Sequence, residues 1–169
     1  MRVIDVSGPD INNGLGCRVT VWAAGCNHHC PGCHNPETWN YDQGDKLSDV
    51  EYKVFDKAKY DYISGLTFSG GDPLAQNTKS LIRLYKFIKK FKKKFPNKDI
   101  WIYSGDYYEN LRKRFIIRLI LRKCDVLVDG PFIIKERNIK LPFRGSNNQR
   151  IIDLNATRKN NEMTLLSIE

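Results

Sequence analysis

The sequence predicts an α/β domain built on a parallel sheet. Two observations carry that expectation. Short β-branched and aromatic runs alternate with amphipathic helical stretches from Arg18 to Leu154, and this alternation marks βαβ units. The residues that packing explains least are a cysteine cluster and several Gly- and Asp-bearing turns, and each follows the C-terminal end of one of those runs. Open α/β sheets and β/α barrels build their sites on that edge. With 169 residues the chain is long enough for one domain with a real core. The domain is expected over 1–169, with its core over 13–154 and a polar tail over 155–169.

In order, Arg18–Ala24 is rich in Val, Thr and Trp and reads as the first core strand, ended by Gly25. Asp42–Asp45, with Gly44, reads as a turn. Ser48-x-x-Glu51 has the form of a capping box opening a helix to about Tyr62, with Leu47, Val50, Val54, Ala58 and Tyr62 as its apolar stripe. Gly65–Ser69 is a short strand running into Gly70-Gly71-Asp72-Pro73. A helix over Thr78–Phe95 turns Leu81, Leu84, Tyr85, Ile88 and Phe91 inward. Asp99–Tyr103 is the next strand and ends at Ser104-Gly105. The helix after it, Tyr108–Lys123, points Leu111, Phe115, Leu119 and Ile120 to the core. Asp125–Asp129 is a strand closed by Gly130-Pro131, and Arg150–Leu154 adds one more. The tail from Asn155 is expected to be loosely held.

Composition narrows the class. Hydrophobic residues make up 41% and aromatics 11%, which fits a globular chain rather than a disordered one. No apolar run approaches the length of a membrane span. Met1–Asp5 carries charge where a signal peptide would be apolar. Unpaired cysteines fit a reducing compartment, so a cytoplasmic protein is expected. The net charge of +9 invites a nucleic-acid reading. Much of it sits in Lys86, Lys89, Lys90, Lys92, Lys93, Lys94 and Lys98, however, where a solvated helix face is the usual meaning. No recognition motif or aromatic platform accompanies the run. Its reach is long-range attraction of an acidic partner, such as a small electron-transfer protein.

Three of the five cysteines, Cys26, Cys30 and Cys33, fall within eight residues as C-x-x-x-C-x-x-C. Clustered thiolates are soft ligands for iron–sulfur clusters. Three cysteines for four irons leave one iron open to a small molecule. The alternative is structural zinc with His28, His29 or His34 as fourth ligand, but zinc sites pair two short clusters. Cys17 and Cys124 are isolated and no histidine lies beyond His34. Packing is the expected role of Cys17 and Cys124, and His28 and His29 are read as solvated loop residues. Gly70 and Gly71 lack Cβ atoms, which lets a ligand approach the backbone. A plain turn is the other reading of Gly-Gly-Asp-Pro.

Cys26-x-x-x-Cys30-x-x-Cys33 resembles the signature of the radical S-adenosylmethionine enzymes. The extension Cys33-His34-Asn35-Pro36-Glu37-Thr38-Trp39 is similar to that of the activating enzymes of glycyl-radical proteins. Within these, the pieces match the group that acts on anaerobic ribonucleoside-triphosphate reductase. The pieces are Asn13–Arg18, Ser69–Leu74, Val126–Phe132 and Phe143–Arg150, and they stand in that order in the chain.

The resemblance implies an incomplete, open parallel β/α barrel, one 4Fe–4S cluster on Cys26, Cys30 and Cys33, and S-adenosylmethionine on the open iron. It implies that Gly70, Gly71, Asp72 and Pro73 hold the cofactor's amino group, with Asp72 standing where the family more often has Glu. Gly32, Cys33 and His34 would lie against the cofactor. Ser104 and Asp129 would meet its ribose or sulfonium end, unless Asp129 is a helix cap or turn former. Reductive cleavage would give a 5′-deoxyadenosyl radical that takes hydrogen from a glycine Cα of the reductase. No catalytic side chain is expected beyond cluster and cofactor. A reduced low-potential donor such as flavodoxin would supply the electron. Arg144 and Arg150, in the polar stretch Phe143–Arg150, would help dock the reductase. The rival functions are activation of another glycyl-radical protein, small-molecule radical chemistry, and a non-catalytic zinc module.

Overall fold

The computed structural model describes residues 1–168. Its elements are β1 (Arg2–Asp10), β2 (Cys17–Ala23), β3 (Asp45–Lys46), α1 (Leu47–Ala58), β4 (Ile63–Gly70) and α2 (Thr78–Lys94). After these come β5 (Asp99–Tyr103), α3 (Tyr108–Leu111), α4 (Phe115–Leu121), β6 (Val126–Asp129), β7 (Arg150–Asp153) and α5 (Leu154–Asn160). The seven strands form one open sheet in the order β3-β1-β2-β4-β5-β6-β7. β2, β4, β5 and β6 run parallel, as expected. Both flanks reverse: β1 pairs antiparallel with β2 and β3, and β7 with β6. The sheet is therefore mixed rather than wholly parallel.

Side chains alternate across the sheet with the two-residue period of a strand. Val19 and Val21 of β2, Leu66 and Phe68 of β4, and Ile100 and Ile102 of β5 join one core with Val54, Leu84, Ile88 and Ile117 from the helices. On the opposite face, Trp101, Val126, Val128 and Ile151 form a smaller cluster under Phe143, Leu166 and Ile168. Polar groups share that second face. Arg18 is fully buried there and donates to Thr67 Oγ1 (2.7 Å), Leu15 O (2.8 Å) and Leu66 O (3.0 Å). It also pairs with Asp99 at 2.8 Å and lies 5.3 Å from the Trp101 ring. A buried guanidinium is tolerable because its donors are met in this way.

Several local expectations are corrected. The capping box does not form: Lys46 is the N-cap of α1, and Ser48 lies inside the helix, donating to Asp49. α1 stops at Ala58, so Tyr62 leaves the apolar stripe and stacks on Tyr60 at the surface. The single helix expected over 108–123 is broken at 112–114, which shifts the phase of its second half. Phe115 consequently faces solvent, 66% exposed, while Ile117, Ile120 and Leu121 point inward. The tail is docked. Asp153 caps α5 by accepting from Asn155 N (2.8 Å) and Ala156 N (2.9 Å), and Leu165 bridges to Ile152 of β7. β1 was hidden by Arg2, Asp5 and Asp10, although Val3 and Val6 are buried.

α2 leaves the C-terminal edge of the parallel strands and returns to their N-terminal edge. Its basic end is therefore far from the β4 turn. Lys86, Lys89, Lys90, Lys93 and Lys94 are exposed. Lys92 pairs with Asp125 at the start of β6, and Lys98 donates to Tyr60 O just before β4. No helix among the described residues is long and apolar enough to cross a membrane.

Candidate functional site

Because β2, β4, β5 and β6 are parallel, their C-terminal ends share one edge. Backbone bonds stitch that edge together. Gly71 N donates to Ala23 O (2.8 Å), Asp72 N to Gly25 O (2.9 Å) and Ser104 N to Val128 O (2.9 Å). The buried Gln76 side chain adds bonds to Ala24 O and Asp72 O, both 3.0 Å.

The cysteine loop hangs from the end of β2. Its root is closed by Gly25 N to Thr38 O (2.8 Å) and Cys26 N to Trp39 O (3.2 Å). Cys26, Cys30 and Cys33 are free thiols of intermediate burial. Burial pushes the Cys26 thiol up to about 11, so a metal must favour its thiolate. Cys17 and Cys124 stand at the opposite edge, at the start of β2 and just before β6; Cys124 is buried in the core and Cys17 packs, partly buried, against it. Among the described residues no group of three His, Cys, Asp or Glu side chains converges on a single metal ion.

The loop's chemistry fits a sulfur-ligated cluster. It offers three soft donors, and the Trp39 Nε1–H beside it is buried without a partner. The Trp39 ring stands edge-on to His29 of the loop at 4.7 Å. An unpaired donor in that place suits a group that brings acceptor sulfurs.

Asp72 is the hub of the edge. It is 1% exposed, and its Oδ1 accepts from Leu74 N (2.7 Å) and Ala75 N (3.1 Å). Its Oδ2 accepts from His28 Nε2 (2.8 Å), Ser104 Oγ (2.9 Å) and Gly105 N (3.0 Å). Asp72 and Ser104 are thus brought together, bonded to each other. His28, expected in solvent, crosses from the cysteine loop to reach them, and its bond to Asp72 holds the imidazole pKa above its usual value. Nothing in the cysteine spacing signals that contact.

The chain's own backbone crowds the glycines before Asp72. Gly70 has φ +96°, and a Cβ on Gly71 would lie 2.5 Å from Gly25 O and 3.0 Å from Thr38 O. Gly71→Val should therefore displace the root of the cysteine loop. A cost of about 1–3 kcal/mol for such overpacking lowers the unfolding midpoint by roughly 2–12 °C. Thermal unfolding of the cluster-free protein checks this, and an unchanged midpoint would show that the backbone yields freely.

The remaining expected residues separate into two groups. Gly32 and His34 are exposed on the loop rim, while Pro73 is buried. A Cβ on Gly32 would come within 2.7 Å of Ile134, so the segment after β6, which the sequence did not single out, flanks the cysteine loop. Asp129 is fully buried and turned into the protein. Its Oδ1 accepts from Arg150 Nε (2.9 Å), and its Oδ2 from Arg150 (2.5 Å) and Tyr108 N (2.7 Å). The carboxylate thus reaches the first N–H of α3 from a different strand, while the N-cap position of that helix is Tyr107. Arg150 also grips Glu109 at 3.0 and 2.8 Å, and Arg144 donates to Gln149 O (2.9 Å) with its Nε buried and unpartnered. Both arginines are engaged within the chain and remain partly exposed.

A family described as "4Fe-4S single cluster domain" matches residues 12–152. The chain is 39% identical over 154 residues to the anaerobic ribonucleoside-triphosphate reductase-activating protein of Haemophilus influenzae, covering 89% of this chain and 97% of that one. The protein of the same name from Enterobacteria phage T4 is 36% identical over 146 residues, covering 84% and 87%. The one from Escherichia coli K12 is 35% identical over 146 residues, covering 83% and 90%. The family match takes in the whole stitched edge.

Proposed function

We propose, since the chain belongs to the family of the anaerobic ribonucleoside-triphosphate reductase-activating proteins, that it activates such a reductase by leaving a glycyl radical on it. The observation that carries this reading is the placement of three free cysteines beside the Gly70–Asp72 turn, where four parallel strands end. The open sheet, clad by helices on one face, is read as the incomplete barrel of the radical S-adenosylmethionine enzymes. Cys26, Cys30 and Cys33 would hold the 4Fe–4S cluster. Gly32–His34, Gly70, Gly71 and Ser104 would border S-adenosylmethionine at the strand ends, with Pro73 behind them.

When bound, the two groups supply one-electron reductive chemistry that ends in removal of a hydrogen atom from a glycine Cα of the reductase. The chain's own residues bind, orient and shield. Asp72 ties the β4 turn to the end of β5 through Ser104 and Gly105, which fixes the pocket's floor. Gln76 and Gly71 lock the end of β2, from which the cysteine loop hangs, to that floor. Asp129 and Arg150 act at one remove, setting the chain around Gly130 and α3. A low-potential donor such as flavodoxin is the proposed electron source, which places the work in the cytoplasm.

Mixing the reduced protein with S-adenosylmethionine and its matched reductase should produce a glycyl doublet in the electron paramagnetic resonance spectrum. Deuterium at that glycine's Cα should appear in 5′-deoxyadenosine. Cleavage of S-adenosylmethionine without a glycyl signal would move the protein into the small-molecule radical class. Zinc in place of iron and sulfide would end the reading.

A further inference from the structure

The stretch between Cys26 and Cys33 is held to the strand ends by a single side-chain hydrogen bond among the described residues. That bond runs from His28 Nε2 to Asp72 Oδ2 at 2.8 Å. The acceptor is rigid, because four other donors fix the same carboxylate: Leu74 N, Ala75 N, Gly105 N and Ser104 Oγ. The imidazole is also seated on a glycine, since a Cβ on Gly105 would lie 2.6 Å from His28 Cδ2. One side chain of the metal-binding loop therefore spans to the ends of both β4 and β5. Neither Cys30 nor Cys33 has a comparable tether.

We infer that His28 is a positioning residue, which sets the distance and tilt of the cysteine loop relative to the Asp72 pocket. The inference rests on the reading that this loop carries the cluster and that the pocket takes S-adenosylmethionine. In that reading the cluster belongs to Cys26, Cys30 and Cys33, and His28 is assigned the bond to Asp72 rather than a ligand's role. Without the tether the three cysteines still bind the cluster, but the loop carrying it is no longer held in register with the pocket. Placement errors of about 1 Å between reacting groups are costly in this way.

The test compares the wild type with His28→Ala and with His28→Gln, whose amide can still donate to Asp72. In the cluster-free proteins, amide exchange across 27–33 should quicken in His28→Ala and return toward the wild-type rate in His28→Gln. After reconstitution, all three should hold equal iron and sulfide. The affinity for S-adenosylmethionine by calorimetry should fall roughly tenfold in His28→Ala, the scale of one lost hydrogen bond to a charged group. The change that S-adenosylmethionine induces in the reduced cluster's paramagnetic resonance spectrum should shrink in step.

Cluster loss in His28→Ala would make His28 a ligand and overturn the inference. Unaltered exchange and affinity would also overturn it. So would tighter binding, because His28 would then be a plug on Asp72. A wild type that shows no response to S-adenosylmethionine would defeat the cofactor reading itself, which separates the two failures.

Discussion

Cys30→Ala should leave the anaerobically reconstituted chain without 4Fe–4S absorption and without activating capacity, while Cys17→Ala and Cys124→Ala should keep both. The three loop cysteines share one edge with the Asp72 turn, whereas Cys124 packs in the core and Cys17 against it, a full strand length away. A cluster held by three thiolates has no spare ligand to replace one of them, so the loss should be near-complete rather than graded. The same holds for Cys26 and Cys33. Cys124→Ala carries only a packing cost, because its thiol is buried as a small hydrophobe. Mössbauer or absorption spectra decide the point. A full cluster in Cys30→Ala would remove that residue from the ligand set.

The second large effect is on folding. Asp129→Ala removes a fully buried carboxylate that holds Arg150 through two bonds and accepts from Tyr108 N, the first N–H of α3. Breaking such a pair strands a charge, at a cost of about 3 kcal/mol, or roughly 6–12 °C in the unfolding midpoint for a chain of this size. Arg150 keeps its contact with Glu109, which is why the upper end of the usual range is not expected. Calorimetric unfolding should show the same drop with and without S-adenosylmethionine. A drop seen only with the cofactor present would return Asp129 to the ligand.

The sequence was most legible where one physical constraint acts alone. The strands of the parallel centre announced themselves because both of their faces are covered, which leaves runs such as Ile100-Trp101-Ile102. The cysteine spacing is chemistry that packing does not imitate. β1 was illegible because its outward face carries Asp5 and its ends carry Arg2 and Asp10, so that only Val3 and Val6 betray it. The break at 112–114 has no glycine or proline to mark it, and Phe115 was assigned inward on a phase that the break resets. Within the site, the positions of Asp72 and Ser104 were readable. Their partners were not, because a hydrogen bond from His28 spans 44 residues and depends on strand order. Gly71 was expected to be glycine for a ligand's sake, and its closest neighbour proved to be the protein's own Gly25 carbonyl.

The course of α2 separates two jobs that a basic protein might combine. Its 17 residues cover about 25 Å at 1.5 Å per residue, and the lysines gather at the end away from the cysteines. An acidic electron carrier clamped onto those lysines would sit behind the molecule, with the thickness of the sheet's length between its own redox centre and the cluster loop. Electron tunnelling decays exponentially over such a gap. Were the lysines to draw such a carrier in from solution, handover to a cluster on that loop would demand a second pose at the cysteine rim, reached by rolling across the surface. Attraction and conduction would then have different addresses on this protein.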